Sequence, residues 1–128
     1  MKAITVTVRA SFRDAEAAAR AALAEEGFGV LTEIDVAATL HEKLGVDRSP
    51  LKILGACNPQ LAHSALQADP SVSLLLPCNV VIEETPDGVK VSAADPRELM
   101  DDPSLSELAA DAASRLQRAV DVVGGTSR

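Results

Sequence analysis

The chain reads as an α+β protein: a two-layer sandwich in which an antiparallel or mixed sheet carries its helices on one face. Three observations lead there. Strand-like segments outnumber helical ones. Two of them flank Pro86-Asp87-Gly88, the chemistry of a hairpin turn, and a hairpin joins antiparallel strands. Helical patterns fall at both ends and in the middle of the chain, so strands and helices do not simply alternate. A doubly wound parallel fold is the alternative, and the hairpin at 80–93 counts against it because parallel strands need long crossovers.

Ile4, Val6 and Val8 alternate with Thr5, Thr7 and Arg9, the period of two that marks a half-buried strand. Ser11, with Asp14 three residues on, resembles a capping box and opens an alanine-rich helix over 12–26, stopped at Gly27. Phe28, Val30, Thr32 and Ile34 are expected on one face of a second strand. Asp35 then caps a short helix with Val36, Leu40 and Leu44 at i, i+4 and i+8, ended by Gly45. Leu51 to Ala56 is apolar on both faces, which predicts a central strand. Asn58 at the N-cap and Pro59 at the first helical position start a helix whose Leu61, Ala62, Ala65 and Leu66 form the inward stripe. Val72 to Leu76 reads as another strand, interrupted by Pro77, before the hairpin of Val80–Thr85 and Val89–Ala93. Asp95-Pro96 begins a turn region that ends at Pro103. Ser104 and Glu107 form a second capping box, and Leu105, Leu108, Ala112, Leu116, Ala119 and Val123 mark one long amphipathic helix. Gly124-Gly125 and a polar tail end the chain. No repeat, linker or low-complexity segment divides it, so residues 1–128 are read as a single domain.

Composition narrows the function classes. The chain has 128 residues, enough to bury a core without disulfide or metal staples. A formal charge of −7, without a Lys/Arg cluster, argues against nucleic acid and anionic membrane surfaces as partners. Trp and Tyr are absent and only Phe12 and Phe28 are aromatic, so a base-stacking platform is also missing. No apolar stretch approaches the roughly 18 residues of a membrane helix, and the N-terminus turns polar within a few residues. Two cysteines are too few for a secreted disulfide scaffold, which points to the cytoplasm and reduced thiols.

The candidate site is the pair of Cys-Asn dipeptides, Cys57-Asn58 and Cys78-Asn79, each inside an apolar run. Cys57 ends a buried strand just before a helix cap, where the helix dipole would stabilise a thiolate and free backbone donors would face an anion. The plain alternative is that Cys57 packs as a small hydrophobe. Cys78 follows Pro77, which implies an edge, a bulge or a strand entry, and Asn79 can hydrogen-bond locally in a turn. If their strands are neighbours, the cysteines would meet near one end of the sheet, and a bridge would need Cα atoms within about 7 Å. A dithiol or softly bound metal is then expected ahead of a permanent disulfide. No zinc pattern supports an intrachain metal: two cysteines 21 residues apart match no finger spacing. His63 lies opposite the Leu61/Ala65 stripe, and His41 is expected in solvent or in a salt bridge. Other templates fail. Gly27-Phe28-Gly29 lacks the strand-to-helix context of a dinucleotide loop, and no phosphate loop, nucleophile elbow or His-Glu-x-x-His occurs.

Three stretches carry a family resemblance: Gly27 to Val36, Ile53 to Pro59 with Leu61-Ala62, and Leu74 to Val81, completed by Asp95-Pro96 and Met100. Over residues 27–100 the chain resembles a bacterial and archaeal family known only as domain of unknown function 302. The resemblance implies a small α+β domain that assembles as a homodimer, with a sheet like that of TATA-box-binding-protein folds. Leu51 departs from it, standing where the family commonly has an aromatic residue, which would weaken a pocket stacked on that ring. The family brings no activity, so no catalytic residue carries over and the cofactor is unknown.

These observations favour a binding module over an enzyme. The expectation is a dimer using Cys57, Asn58, Cys78 and Asn79 to hold a small ligand or a soft metal. Two alternatives stand beside it: a redox enzyme or sensor with Cys57 as thiolate and Cys78 as resolving cysteine, and a purely structural dimerisation domain.

Overall fold

A computed structural model describes residues 1–126; Ser127 and Arg128, the end of the polar tail, lie outside the described residues. Its five strands are β1 (Ala3–Val8), β2 (Gly29–Asp35), β3 (Leu51–Cys57), β4 (Cys78–Thr85) and β5 (Gly88–Ala94). The helices are α1 (Phe12–Glu25), α2 (Val36–Leu44), α3 (Pro59–Ala68), a short α4 (Pro96–Leu99) and α5 (Ser106–Gly124). The strands form one sheet in the order β1-β5-β4-β3-β2, and all four neighbouring pairs are antiparallel. The α+β sandwich is therefore correct and the parallel alternative is not.

Alternation along the strands selects one covered face. Val8, Leu54, Val80, Ile82 and Val91 are buried there beneath α1 and α5. Small residues on the helices, such as Ala15 and Ala19 on α1 and Ala113 and Ala119 on α5, let both lie close to the sheet and to each other. Leu116 is fully buried between them, worth about 2–3 kcal/mol by area. The opposite face is polar over β1 and β5, where Thr5 and Ser92 share a 2.9 Å hydroxyl contact. At the end of the sheet beside α3, a second and smaller cluster gathers Ala65, Val72, Met100, Leu105 and Ala109.

One edge of the covered face is ionic. Lys52 Nζ lies 2.8 Å from Glu16 and 2.6 Å from Glu33, while Arg20 reaches the same two carboxylates at 2.9 and 3.2 Å. The ring joins α1, β2 and β3. Lys52 shares its strand face with Leu54, so its stem runs beneath α1 while its ammonium reaches the carboxylates.

Several local expectations change. Residues 70–75 form a 3-10 helix, not a strand: Asp69 caps it through Ser71 N–H at 3.0 Å, with Pro70 in its first turn. In β2 a register shift between Val30 and Thr32 inserts Leu31 as a bulge. Thr32 and Ile34 then pair with Gly55 and Ile53 and sit on the face opposite Val30, because one extra residue reverses the alternation. Residues 96–99 are helical, capped by Asp95. Ser104 and Glu107 do not form a capping box: Ser104 lies in a 3-10 turn capped by Asp102, and α5 starts at Ser106 with no side-chain cap. On α3, Ala65 is buried but Leu66 is exposed.

Candidate functional site

β3 delivers Cys57 to the end of the sheet, and Asn58-Pro59 turns the chain into α3. The turn forms as its chemistry requires. Asn58 Oδ1 accepts from Leu61 N–H at 3.2 Å, and Pro59 occupies the first turn. Asn58 also works in a second direction. Its Nδ2 donates to the Glu26 carbonyl at 3.3 Å, fastening the C-terminal end of α1 to the start of α3. Gly27 makes room for this: its φ is +83°, and a Cβ there would sit 3.0 Å from Asn58 Nδ2.

The second dipeptide is placed differently. Pro77 marks a strand entry, and Cys78 opens β4, an interior strand rather than an edge. β3 and β4 are neighbours, but Cys78 stands opposite Ala56 and not Cys57. Cys57 is thus one residue beyond the cross-strand partner of Cys78, so the register does not set the two thiols side by side. The two cysteines are not close together, and both are free. Cys78 is buried, Cys57 half-buried. Burial pushes the Cys78 thiol up, and the negative charge of a Cys57 thiolate adds to the effect. Cys78 is therefore a neutral thiol at pH 7. Asn79 is exposed, paired with Gly55 on the other face, and does not join Asn58.

What the structure assembles is a cavity of about 30 Å³ where the two apolar clusters meet. Phe28, Ala56 and Cys78 border it from the sheet side, Leu61 and Ala65 from α3, and Met100 from just after α4. Cys57 and Asn58 also contribute to its wall. Two short side chains from α5 and α3, Ala112 and Ala62, leave the space between the layers unfilled. The wall is almost wholly apolar and holds no carboxylate, imidazole or ammonium; its polar groups are the thiols of Cys57 and Cys78 and the amide of Asn58. A space this small with hardly any polar partner is a poor site for an ordered water.

Met100 also borders a second, open recess of about 240 Å³ beside Asp69, Asp101 and Asp102. Its side chain thus borders both spaces. Asp69 and Asp102 are already engaged there as helix caps. Phe28, Leu76, Leu108 and Met100 were not singled out as site residues from sequence. Met100 had a signal, as part of the pattern completing the family resemblance. Leu51 lies at the far end of β3 opposite Glu83 and is outside the cavity, so the missing aromatic ring does not weaken this pocket.

Among the described residues, no three His, Cys, Asp or Glu side chains gather as a metal would require. His41 forms an exposed 2.7 Å contact with Asp47, and His63 is exposed. No helix of the described residues is long and apolar enough to cross a membrane.

Comparison with known proteins agrees with the fold. A family model described as Domain of unknown function DUF302 matches residues 4–123. The chain is similar to the crystal structure of an uncharacterised conserved protein DUF302 from Bacillus stearothermophilus. The two share 35% identity and a TM-score of 0.85, over 92% of this chain and 94% of that one. No curated protein matches.

Proposed function

The chain belongs to the DUF302 family, which brings no activity with it, and we propose that it is a non-catalytic binding module, working as a homodimer, that takes a small uncharged apolar group into the cavity behind Met100. One observation carries this reading: an almost wholly apolar cavity at the seam of two core clusters, which shares the flexible Met100 side chain with an open recess. Methionine is unbranched and adapts its shape, so it suits a movable wall. At about 30 Å³ the void admits little until Met100 or its neighbours shift, so binding involves local opening. Cys57 and Asn58 belong to this site; Cys78 is a neutral part of its wall, and Asn79 lies outside it.

The alternatives have less support. Dithiol exchange needs both sulfurs to meet, and the register of β3 against β4 works against that. A soft metal needs donors that the described residues do not bring together.

The test is amide NMR with indole as an apolar probe. The expected result is saturable shifts confined to the neighbourhood of Ala56, Leu61, Ala65, Cys78 and Met100, abolished by Ala112→Leu, which fills the void. No saturable shift at millimolar indole would remove the reading.

A further inference from the structure

The α2 helix has an apolar stripe that β2 and β3 cover only in part, leaving Val36 and Leu40 half-buried and Leu44 exposed. Val36, Leu40 and Leu44 lie at i, i+4 and i+8, yet none of its nine residues is buried. A helix this short is marginal on its own even with good caps, and gains stability mainly by packing an apolar face. Its caps are in place: Asp35 Oδ1 accepts from Ala38 N–H at 2.9 Å, and Gly45 ends it with φ +67°. What the described residues leave uncovered is the outer side of this stripe, at Leu44 above all. The neighbourhood is equally uncovered. Four of the nine large hydrophobic residues exposed among the described residues fall within 31–46: Leu31, Ile34, Leu44 and Val46.

We propose that α2 is the surface through which two copies of this chain associate, pairing antiparallel about a two-fold axis near Leu40. The proposal rests on the homodimer reading and adds the interface. A second copy fits because the surface is self-complementary. Asp35 stands at the N-terminal end of the stripe and Lys43 borders it near the C-terminal end. Lys43 has no ion-pair partner among the described residues. Antiparallel pairing of Leu40 on Leu40 sets Lys43 of each copy opposite Ala37 of the other, about 3 Å along the axis from Asp35 and within reach of it, and opposes the two helix dipoles. A partner of one dominant charge would match only half of this surface. A nine-residue helix is only about 14 Å long, while a stable interface needs about 1,000 Å², so Ile34 and Val46 are covered as well. The pairing leaves the cavity free. α2 leaves the sheet where Asp35 pairs with Lys52, at the opposite end from the pairing of Ala56 with Cys78.

Sedimentation equilibrium of the full chain tests this, with circular dichroism to confirm folding. The wild type is expected to be a dimer. Leu40→Glu sets two like charges together at the axis and should weaken the dimer by about 100-fold or more. A wild type that stays monomeric at about 100 µM overturns the homodimer reading and this interface together. A dimeric wild type with an equally tight Leu40→Glu dimer overturns only the interface. If Leu40→Glu fails to fold, Leu40→Cys under mild oxidation decides: a covalent dimer through position 40 supports the proposal, and its absence overturns it.

Discussion

Replacing Met100 by alanine tests both the packing and the proposed role of the cavity. Met100 is 8% exposed and belongs to the smaller core cluster with Ala65, Val72, Leu105 and Ala109. The substitution deletes three heavy atoms from a side chain that borders both the cavity of about 30 Å³ and the recess outside. Met→Ala changes in cores cost about 2–5 kcal/mol, depending on how far the site collapses. Here the recess lets water and neighbouring side chains reach part of the new space, so the expected loss is about 2–3 kcal/mol. A small domain stable by roughly 5–15 kcal/mol remains folded after such a loss. The chain has no Trp or Tyr, so urea unfolding is best followed by far-UV circular dichroism. The midpoint should fall with an unchanged slope. Indole at about ten times its dissociation constant should then restore roughly 1.4 kcal/mol, and wild type should gain less because its void is smaller. A loss under about 1 kcal/mol would show that Met100 does not hold the seam closed. An alanine variant no more responsive to indole than wild type would separate the void from ligand binding.

Three further outcomes follow from the geometry. Burial alone would raise the Glu16 carboxyl, but the hydrogen bonds from Lys52 and Arg20 outweigh it and hold it below its ordinary 4.5. The hydrogen bonds from Glu16 and Glu33 raise Lys52 above 10.5. Glu16 therefore contributes stability above pH 4.5 that is lost as the pH falls through its lowered value, and Lys52 contributes below pH 10.5 and loses it as the pH rises further. Lys52→Met should cost about 1–2 kcal/mol at pH 7 and flatten the alkaline limb; an unchanged melting profile would contradict the ring. Gly55→Ala should cost about 1–3 kcal/mol by overpacking, because its Cβ would collide with the Thr32 hydroxyl and lie 2.8 Å from Pro77 Cγ. Urea midpoints check this, and a neutral result would mean that the two strands part readily. Ellman's reagent on native protein should modify one thiol, Cys57, at least about tenfold faster than the buried, raised Cys78. Equal rates would refute the burial assignment.

Residues with one strong local signal were legible in the sequence. The alternation of β1, the Pro86-Asp87 hairpin turn and the Ser11 cap, whose Oγ accepts from Asp14 N–H at 3.0 Å, all stand where the pattern puts them. Two of the misplaced elements share a cause. Asn58-Pro59 was read as a helix start, but Asp69-Pro70, Asp95-Pro96 and Asp102-Pro103 repeat the same chemistry and also start helical turns. At Asp69-Pro70 the cap and the preset proline φ outweighed an apolar run that looked like a strand. At Asp102-Pro103 the cap displaced the capping box expected at Ser104. The β2 bulge left no such trace, because Leu31 resembles its neighbours and only the register against β3 shows the extra residue. The cavity was illegible for a related reason: Phe28, Ala112 and Met100 meet only through long-range packing.

The two Cys-Asn dipeptides look equivalent in sequence but are held for different reasons. Asn58 is 9% exposed and uses both ends of its amide, one as the cap of α3 and the other on the last turn of α1. Aspartate could cap but not donate, and serine lacks the reach of the amide, so asparagine satisfies both demands. Asn79 faces solvent beside Gly55 and has neither task. Among the thiols the asymmetry runs the other way in burial: Cys78 fills space as a small neutral hydrophobe, and Cys57 keeps part of its surface exposed. Cys57 is therefore the more accessible thiol at this end of the sheet, and Asn58 holds in place the turn that borders the cavity.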